Sequence, residues 1–232
     1  MEYQRILAIP YKRYVKPMIG YLSKEALTEV FDSVDTSTKQ GRRDLTLLCV
    51  LYDTGARVQE LCDLRLRDLS LSGNPYVMLT GKGRKTRYVP LLENTVKLLN
   101  QYLEEFHYSK LFNNDAPLFF NKQHGKLSRT AVNHVINKYA GIARQRSSLV
   151  PDKITPHIFR HTKAMHLCQA GVDMIYIRDI LGHAMLETTN IYARINVEQM
   201  RDALEKAYPE LTDKNLPNWS DDNALMDFLA KL

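Results

Sequence analysis

The sequence TPHIFRHT, residues 155–162, shows most directly how this chain is organised. Thr155 is a typical N-cap residue and proline is tolerated in a first helical turn, so a helix is predicted to begin here and to stop at Gly171. Within that helix, His157 and Arg160 are three positions apart and share one face. This stretch therefore combines a clear helix start with two hydrogen-bonding side chains on the same side.

Three further stretches also place a hydrogen-bond donor or a nucleophile near the end of a predicted element. They are TGARVQEL (54–61) with Arg57, GKGRK (81–85) with Lys82, and LGHA (181–184) with His183, which Tyr192 follows nine residues later. Each residue alone has an ordinary structural explanation, such as a surface ion pair between Arg57 and Glu60 or a solvated charge at Lys82. The four stretches in their order are more informative than any one of them.

Residue periodicity predicts a mainly α-helical chain with a small antiparallel β-sheet, an α+β fold. Helices are predicted over 23–31, 43–54, 58–64, 92–106, 128–143, 155–170, 173–182, 188–195 and 197–207, with a further amphipathic helix close to residue 232. Two β-rich runs, 76–80 and 86–90, flank GKGRK and predict a hairpin with a glycine turn. A short strand is predicted over 117–121, before a turn at His124 and Gly125.

Taken in order, these stretches resemble the catalytic signature of the tyrosine recombinases, the phage integrase family. The resemblance extends from about Tyr21 to Ala207. It implies the fold of the DNA breaking-rejoining catalytic domain and a site-specific recombinase or integrase activity, as in mobile elements. It also implies that double-stranded DNA is the partner and that strands are exchanged through a covalent 3′-phosphotyrosyl intermediate. No metal ion, ATP or other cofactor is expected in that mechanism.

The resemblance assigns catalytic roles to a set of six residues. They are Arg57, Lys82, His157, Arg160, His183 and Tyr192. Arginines suit the non-bridging phosphate oxygens because their donors are permanently charged, and His183 is expected as a third donor. Tyr192 is the expected nucleophile, with His157 as the candidate base. Lys82 on the hairpin is the expected general acid for the departing 5′ oxygen.

Basic residues outside this set are expected to contact DNA phosphates, with a solvated surface charge as the alternative. They are Arg42, Arg43, Arg84, Lys85 and Arg87. Glu60 is expected to orient Arg57. His157 and His161 have the i, i+4 spacing of a metal-binding pair, but no HExxH glutamate or carboxylate cluster accompanies them, which disfavours a metal site.

The distribution of charge favours a nucleic-acid partner. The net charge of the 232 residues is +6. Residues 1–208 hold 30 basic and 21 acidic side chains, a net of +9, whereas 209–232 hold two basic and five acidic ones, a net of −3.

No apolar run approaches the ~18 residues of a membrane span, and the first residues do not predict a secretory signal. Three widely spaced cysteines suit a reducing cytoplasm, where we expect the protein.

Three segments are expected along the chain. Residues 1–20 are an N-terminal arm or the remnant of a linker to a missing DNA-clamp domain, 21–208 are the catalytic domain, and 209–232 are a linker and an amphipathic helix. That helix either packs on its own domain or docks in trans on a neighbouring copy. The resemblance favours docking in trans within a homotetramer on DNA, with a monomer allowed in isolation.

Three other classes of protein are alternatives to this interpretation. A type IB topoisomerase uses similar chemistry but religates the same strand, and the compact spacing of the four stretches favours a recombinase over it. A DNA-binding regulator of the same fold has no use for the complete catalytic set, Tyr192 above all. A metal-dependent nuclease is disfavoured because its carboxylate cluster is absent from the sequence. The target DNA sequence and the biological role stay open at this point.

Overall fold

The computed structural model describes residues 20–107 and 114–182. In chain order these residues form α1 (Lys24–Asp32), α2 (Lys39–Thr54), α3 (Val58–Asp63), β1 (Leu69–Ser70), β2 (Tyr76–Thr80), β3 (Thr86–Pro90), α4 (Glu93–Phe106), α5 (Arg129–Arg146), α6 (Pro156–Gln169) and α7 (Met174–Leu181). Single 3₁₀ turns lie at Leu66–Asp68, before β1, and at Lys82–Arg84, between β2 and β3. The predicted α+β fold, mainly helical with a small antiparallel sheet, is confirmed.

Two helix boundaries differ from the sequence prediction by more than one residue. Helix α2 begins at Lys39 rather than at Arg43, because the Thr38 side chain caps it by accepting a hydrogen bond from the Gly41 N–H. Helix α5 continues to Arg146, beyond the predicted end at residue 143. The helices predicted at 188–195, at 197–207 and close to residue 232 lie outside the described residues.

The prediction of a strand over 117–121 was wrong. Only two isolated β-bridges form there, one between Arg65 and Pro117 and one between Phe120 and Lys126. A proline has no N–H to donate to a ladder. Next to the second bridge, the Asn121 side chain accepts the N–H groups of Gln123 and Gly125 and so bends the chain into a turn.

The three strands form an antiparallel sheet in the order β1-β2-β3. Val77 of β2 pairs with Val89 of β3, and Leu79 pairs with Arg87. Val77, Leu79 and Val89 are buried, so this face of the sheet points into the domain. Arg87 therefore belongs to the inward face. The short strand β1 was not predicted from the sequence.

The packing of the helices brings several element ends to one place. Helix α2 contacts α4 and α6, α6 contacts α7, and α7 contacts β3. A small buried cluster of Ala164, Met165, Ile177 and Leu181 joins α6 to α7. As a result, the C-terminal ends of α2 and α7 lie beside the start of α6 and the base of the hairpin. Among the described helices, none is long and apolar enough to cross a membrane.

Candidate active site

The turn between α2 and α3 positions Arg57. Gly55 ends α2 in the left-handed conformation, with φ at 56°, which a residue with a side chain adopts at a cost. Arg57 follows with extended backbone as the N-cap of α3. Its N–H donates to Glu60 Oε2 at 2.8 Å and its Nη1 donates to Glu60 Oε1 at 2.9 Å. The expected pairing of Arg57 with Glu60 is present, while 40% of the Arg57 side chain stays exposed.

Arg160 lies on α6 and is almost fully buried, at 6% exposed. Its Nη1 donates to the Gly55 carbonyl at 2.6 Å, and its Nη2 donates to the Leu181 carbonyl. These acceptors lie at the C-terminal ends of α2 and α7, where backbone carbonyls lack helical partners and the helix dipole is negative. One guanidinium therefore ties two helix ends to α6.

Arg57, His157 and Arg160 line one cavity of about 190 Å³, together with Arg129 at the start of α5. We call this space the arginine cavity. The structure thus brings together three of the predicted catalytic residues. This volume is several times the roughly 30 Å³ that one water molecule occupies in the liquid. The three arginines give the cavity the charge to attract an anion. The sequence reasoning missed Arg129, whose only signal was a basic residue after the N-cap Ser128.

His157 is exposed at the rim of the arginine cavity, one helical turn before Arg160. Its neighbour His161 is half-buried, and burial, followed by the charges of His157 and Arg160, lowers its pKa from the ordinary value. The predicted pair of histidines is thus divided between a solvent-facing and an inward-facing side chain. Within 20–107 and 114–182, no three His, Cys, Asp or Glu side chains are grouped as metal ligands would be.

The hairpin turn that carries Lys82 lies next to the Arg57–Glu60 pair. The Gly81 N–H donates to the Lys85 carbonyl at 2.8 Å and closes the turn. A Cβ built on Gly81 would lie 3.0 Å from Glu60 Oε1, so the backbone of the hairpin base passes close to that carboxylate. Arg84 and Lys85, at the tip, are exposed.

Arg87 makes a second set of contacts to Glu60. Its Nη1 and Nη2 donate to Oε1 at 2.9 Å and Oε2 at 2.7 Å, and its Nε donates to the Ile180 carbonyl at 2.8 Å. Burial opposes ionisation of Glu60, but the hydrogen bonds from Arg87 and the Arg57 backbone outweigh it and lower the pKa of this carboxyl from its ordinary value. We define the buried junction as Glu60, Arg87 and Arg160, together with the carbonyls to which the two arginines donate.

The other predicted phosphate contacts have different surroundings. Arg42 forms a two-pronged pair with Glu105, and its Nη1 donates to the carbonyls of Thr36 and Ser37. Arg43 donates to Asp44, whose side chain is 1% exposed. The protein itself therefore supplies acceptors for both of these guanidinium groups.

The predicted catalytic residues His183 and Tyr192 lie outside the described residues.

Comparison with known proteins shows the family to which this chain belongs. The sequence model of the phage integrase family matches residues 21–199. The chain belongs to the phage integrase family. Tyrosine recombinase XerC of Oceanobacillus iheyensis is 36% identical over 198 residues, an alignment that covers 84% of this chain and 63% of XerC.

Solved recombinases of the same family have the same fold. The crystal structure of XerA recombinase superimposes with a TM-score of 0.68 at 29% identity, covering 84% of this chain and 67% of that one. XerH recombinase in its pre-cleavage complex with difH substrate has a TM-score of 0.68 at 26% identity, covering 86% of this chain and 57% of XerH. This chain therefore spans between about half and two thirds of these family members.

Proposed function

We propose that this chain is the catalytic domain of a site-specific tyrosine recombinase, which cleaves and rejoins double-stranded DNA without a metal ion or ATP. The observation that carries the proposal is the arginine cavity, where Arg57, Arg160 and His157 line one space of about 190 Å³. The relatives named as tyrosine recombinases, and the XerH complex with its difH substrate, support DNA as the partner.

The proposed reaction exchanges one phosphodiester bond for another. The Tyr192 oxygen attacks the phosphorus, the bond to the 5′ oxygen breaks, and a 3′-phosphotyrosyl ester remains. The 5′ hydroxyl of a second strand then attacks this ester and releases the tyrosine. Because each step forms one phosphoester bond as it breaks another, no external energy source is required.

The described residues suit the charge changes in this reaction. The transition state concentrates negative charge on the non-bridging oxygens, and we assign Arg57 and Arg160, which line the arginine cavity, as its hydrogen-bond donors. His157 at the rim is the candidate base for the Tyr192 hydroxyl, whose ordinary pKa near 10 leaves it mostly protonated at neutral pH. We assign His183 as a further phosphate donor and Lys82 as the acid that protonates the leaving oxygen.

Among the basic residues outside the catalytic set, we propose Arg84 and Lys85 as contacts to DNA phosphates. Both are exposed at the tip of the hairpin. Arg42, Arg43 and Arg87 donate instead to carboxylates of the protein. Because these three guanidinium groups are held by the protein itself, we do not assign them to DNA phosphates.

We also propose that four copies assemble on two DNA duplexes, with the segment 209–232 docking in trans. A helix donated head to tail makes a heterologous interface that can close into a ring. Deleting residues from Pro217 onward is expected to weaken assembly on DNA, measured by the mass of the complex in solution. Unchanged assembly and strand exchange after the deletion would contradict this arrangement.

The decisive experiment traps the covalent intermediate. A nicked duplex carries a core site selected from a random pool by binding to the protein, so that the short strand diffuses away after cleavage. Wild-type protein is expected to become covalently attached to this DNA in EDTA, whereas Tyr192→Phe is not. Tyr176→Phe is a matched control, because Tyr176 is a 65% exposed tyrosine on α7. Attachment by Tyr192→Phe, or strict dependence on magnesium, would overturn the proposal.

The same substrate separates the recombinase from a type IB topoisomerase. A recombinase is expected to join the cleaved strand to the 5′ hydroxyl of a second duplex. A topoisomerase religates its own strand and relaxes supercoiled plasmid without producing joined duplexes. Relaxation alone, with no product containing strands from both duplexes, would favour the topoisomerase.

A further inference from the structure

Arg87 occupies a position in the sheet where an apolar residue is expected. It pairs with Leu79 on the inward face, next to the buried pair of Val77 and Val89. Its side chain is only 11% exposed. A buried charge is costly unless it is paired and hydrogen-bonded, so the partners of this guanidinium explain why the position tolerates it.

These partners join three separate elements. From β3, the guanidinium holds both carboxylate oxygens of Glu60 on α3 and the Ile180 carbonyl near the end of α7. The same carboxylate accepts the N–H and Nη1 of Arg57, so Glu60 receives four hydrogen bonds from two arginines. The placement of Arg57 is therefore connected to β3 through Glu60.

The end of α7 is fitted closely to the same guanidinium. Gly182 has φ at +64°, and a Cβ built on it would lie 2.9 Å from Arg87 Cδ and 3.0 Å from its Nη1. The left-handed backbone and this close approach both favour glycine. Arg57 Nη2 also donates to the Gly182 carbonyl, at 3.3 Å. Arg87 thus lies against the residue that immediately precedes His183.

We propose that Arg87 is a positioning residue for the strand-transfer reaction. It fixes Glu60, which in turn directs Arg57 toward the arginine cavity, and it fixes the end of α7 from which the chain continues to His183. The role rests on the proposed function and adds to it a residue that does not itself touch the phosphate. Lysine cannot replace it fully, because one ammonium group does not supply a two-pronged contact to a carboxylate together with a third donor to a carbonyl.

The first test compares chemistry with binding in Arg87→Ala and Arg87→Lys. On the nicked duplex, single-turnover covalent attachment is expected to slow about 100-fold in Arg87→Ala, the effect of a displaced catalytic group, and less in Arg87→Lys. The DNA dissociation constant is expected to change less than about threefold. Arg178→Ala is the matched control, since it removes an arginine that pairs with the exposed Asp179 on α7. A binding loss as large as the rate loss would instead make Arg87 a phosphate contact and overturn the proposal.

A modified substrate identifies the part of the reaction that Arg87 supports. In a 5′-bridging phosphorothiolate the leaving sulfur departs as a thiolate and needs no general acid. The slow attachment by Arg87→Ala is expected to persist on this substrate, because Arg57 and the end of α7 remain misplaced. Full recovery would show that Arg87 acts only through protonation of the leaving group, contrary to the proposal.

Amide hydrogen exchange tests the positioning without any DNA. The Arg57 N–H donates to Glu60, so its exchange rate reports whether that carboxylate is held in place. Exchange at this amide is expected to be about tenfold faster in Arg87→Ala and Arg87→Lys than in the wild type, and unchanged in Arg178→Ala. If the wild type forms no adduct, the proposed function fails while this measurement still decides the role of Arg87. An unchanged exchange rate at the Arg57 N–H would refute the positioning role of Arg87.

Discussion

The buried junction and the open side of the candidate active site use the same type of residue in different ways. In the buried junction, the charges of Arg87 and Arg160 are taken up by a carboxylate and by helix-end carbonyls. On the open side, Arg84 at the hairpin tip faces solvent. Arg57 belongs to both regions, because its Nη1 donates to Glu60 while 40% of its side chain is exposed.

This difference explains why positive charge alone does not identify a DNA contact. A guanidinium that already binds carboxylates and carbonyls contributes to stability and geometry, because those acceptors would be left buried and unsatisfied without it. An exposed guanidinium contributes little to stability and is available to an external phosphate. Each region therefore predicts a different combination of effects when an arginine is removed.

The largest difference is expected between Arg160→Ala and Arg57→Ala. Both variants should lose covalent attachment by at least about 100-fold, because each removes a donor that we assign to the transition state. Arg160 can serve both regions, because its guanidinium has five N–H groups and the carbonyls of Gly55 and Leu181 each accept one of them. Arg160→Ala should also lower the free energy of unfolding by about 3 kcal/mol, since it leaves the carbonyls of Gly55 and Leu181 without their donor. Arg57→Ala should lower it less, because Arg87 still holds both oxygens of Glu60. Urea unfolding of both variants, beside the attachment assay, measures the two effects. Equal stability losses would remove the distinction between the regions.

The junction carboxylate is expected to make stability depend on pH. The pKa of Glu60 is lowered in the fold from its ordinary value of 4.5, so its stabilising effect is present above that value and is lost as pH falls through the lower folded pKa. Glu60→Gln is expected to cost about 2–4 kcal/mol at pH 7, because it removes the charge shared by Arg57 and Arg87.

Urea unfolding from about pH 7 down to pH 3 measures this dependence. The difference between wild type and Glu60→Gln should shrink over the acid part of that range. Asp63→Asn is a control, as Asp63 is a more exposed α3 carboxylate that pairs with Lys126 at the surface. Its cost at pH 7 is expected to stay below about 1 kcal/mol. A cost for Glu60→Gln that is constant with pH would contradict the assignment.

Features with a local cause could be predicted from the sequence. Thr155 caps α6 by accepting the Ile158 N–H at 3.3 Å, and Pro156 is the first residue of the helix, as their order indicated. Glycine ends both α2 and α7 in the left-handed conformation. Cap and turn preferences depend on a few adjacent residues, so the sequence contains most of the information they require.

Features that depend on contacts between distant elements were missed. From the sequence, Arg87 was expected to contact a DNA phosphate or solvent, but its partners in the fold come from α3 and α7. Arg129 enters the arginine cavity only because α5 begins beside α6, and no residue pattern indicated this. Such assignments require the tertiary packing.

The smallest effects are expected at the hairpin tip. Arg84→Ala and Lys85→Ala should each weaken DNA binding severalfold and reduce the slope of log K against log salt by about one, because each removes one phosphate contact. Their unfolding free energies should stay within about 0.5 kcal/mol of the wild type. Arg42→Ala should show the reverse, with an unchanged salt slope and a measurable loss of stability, since its guanidinium binds Glu105 and two backbone carbonyls. A salt slope that falls equally in all three variants would mean that Arg42 also reaches DNA, and that an internal ion pair does not keep an arginine from the phosphate backbone.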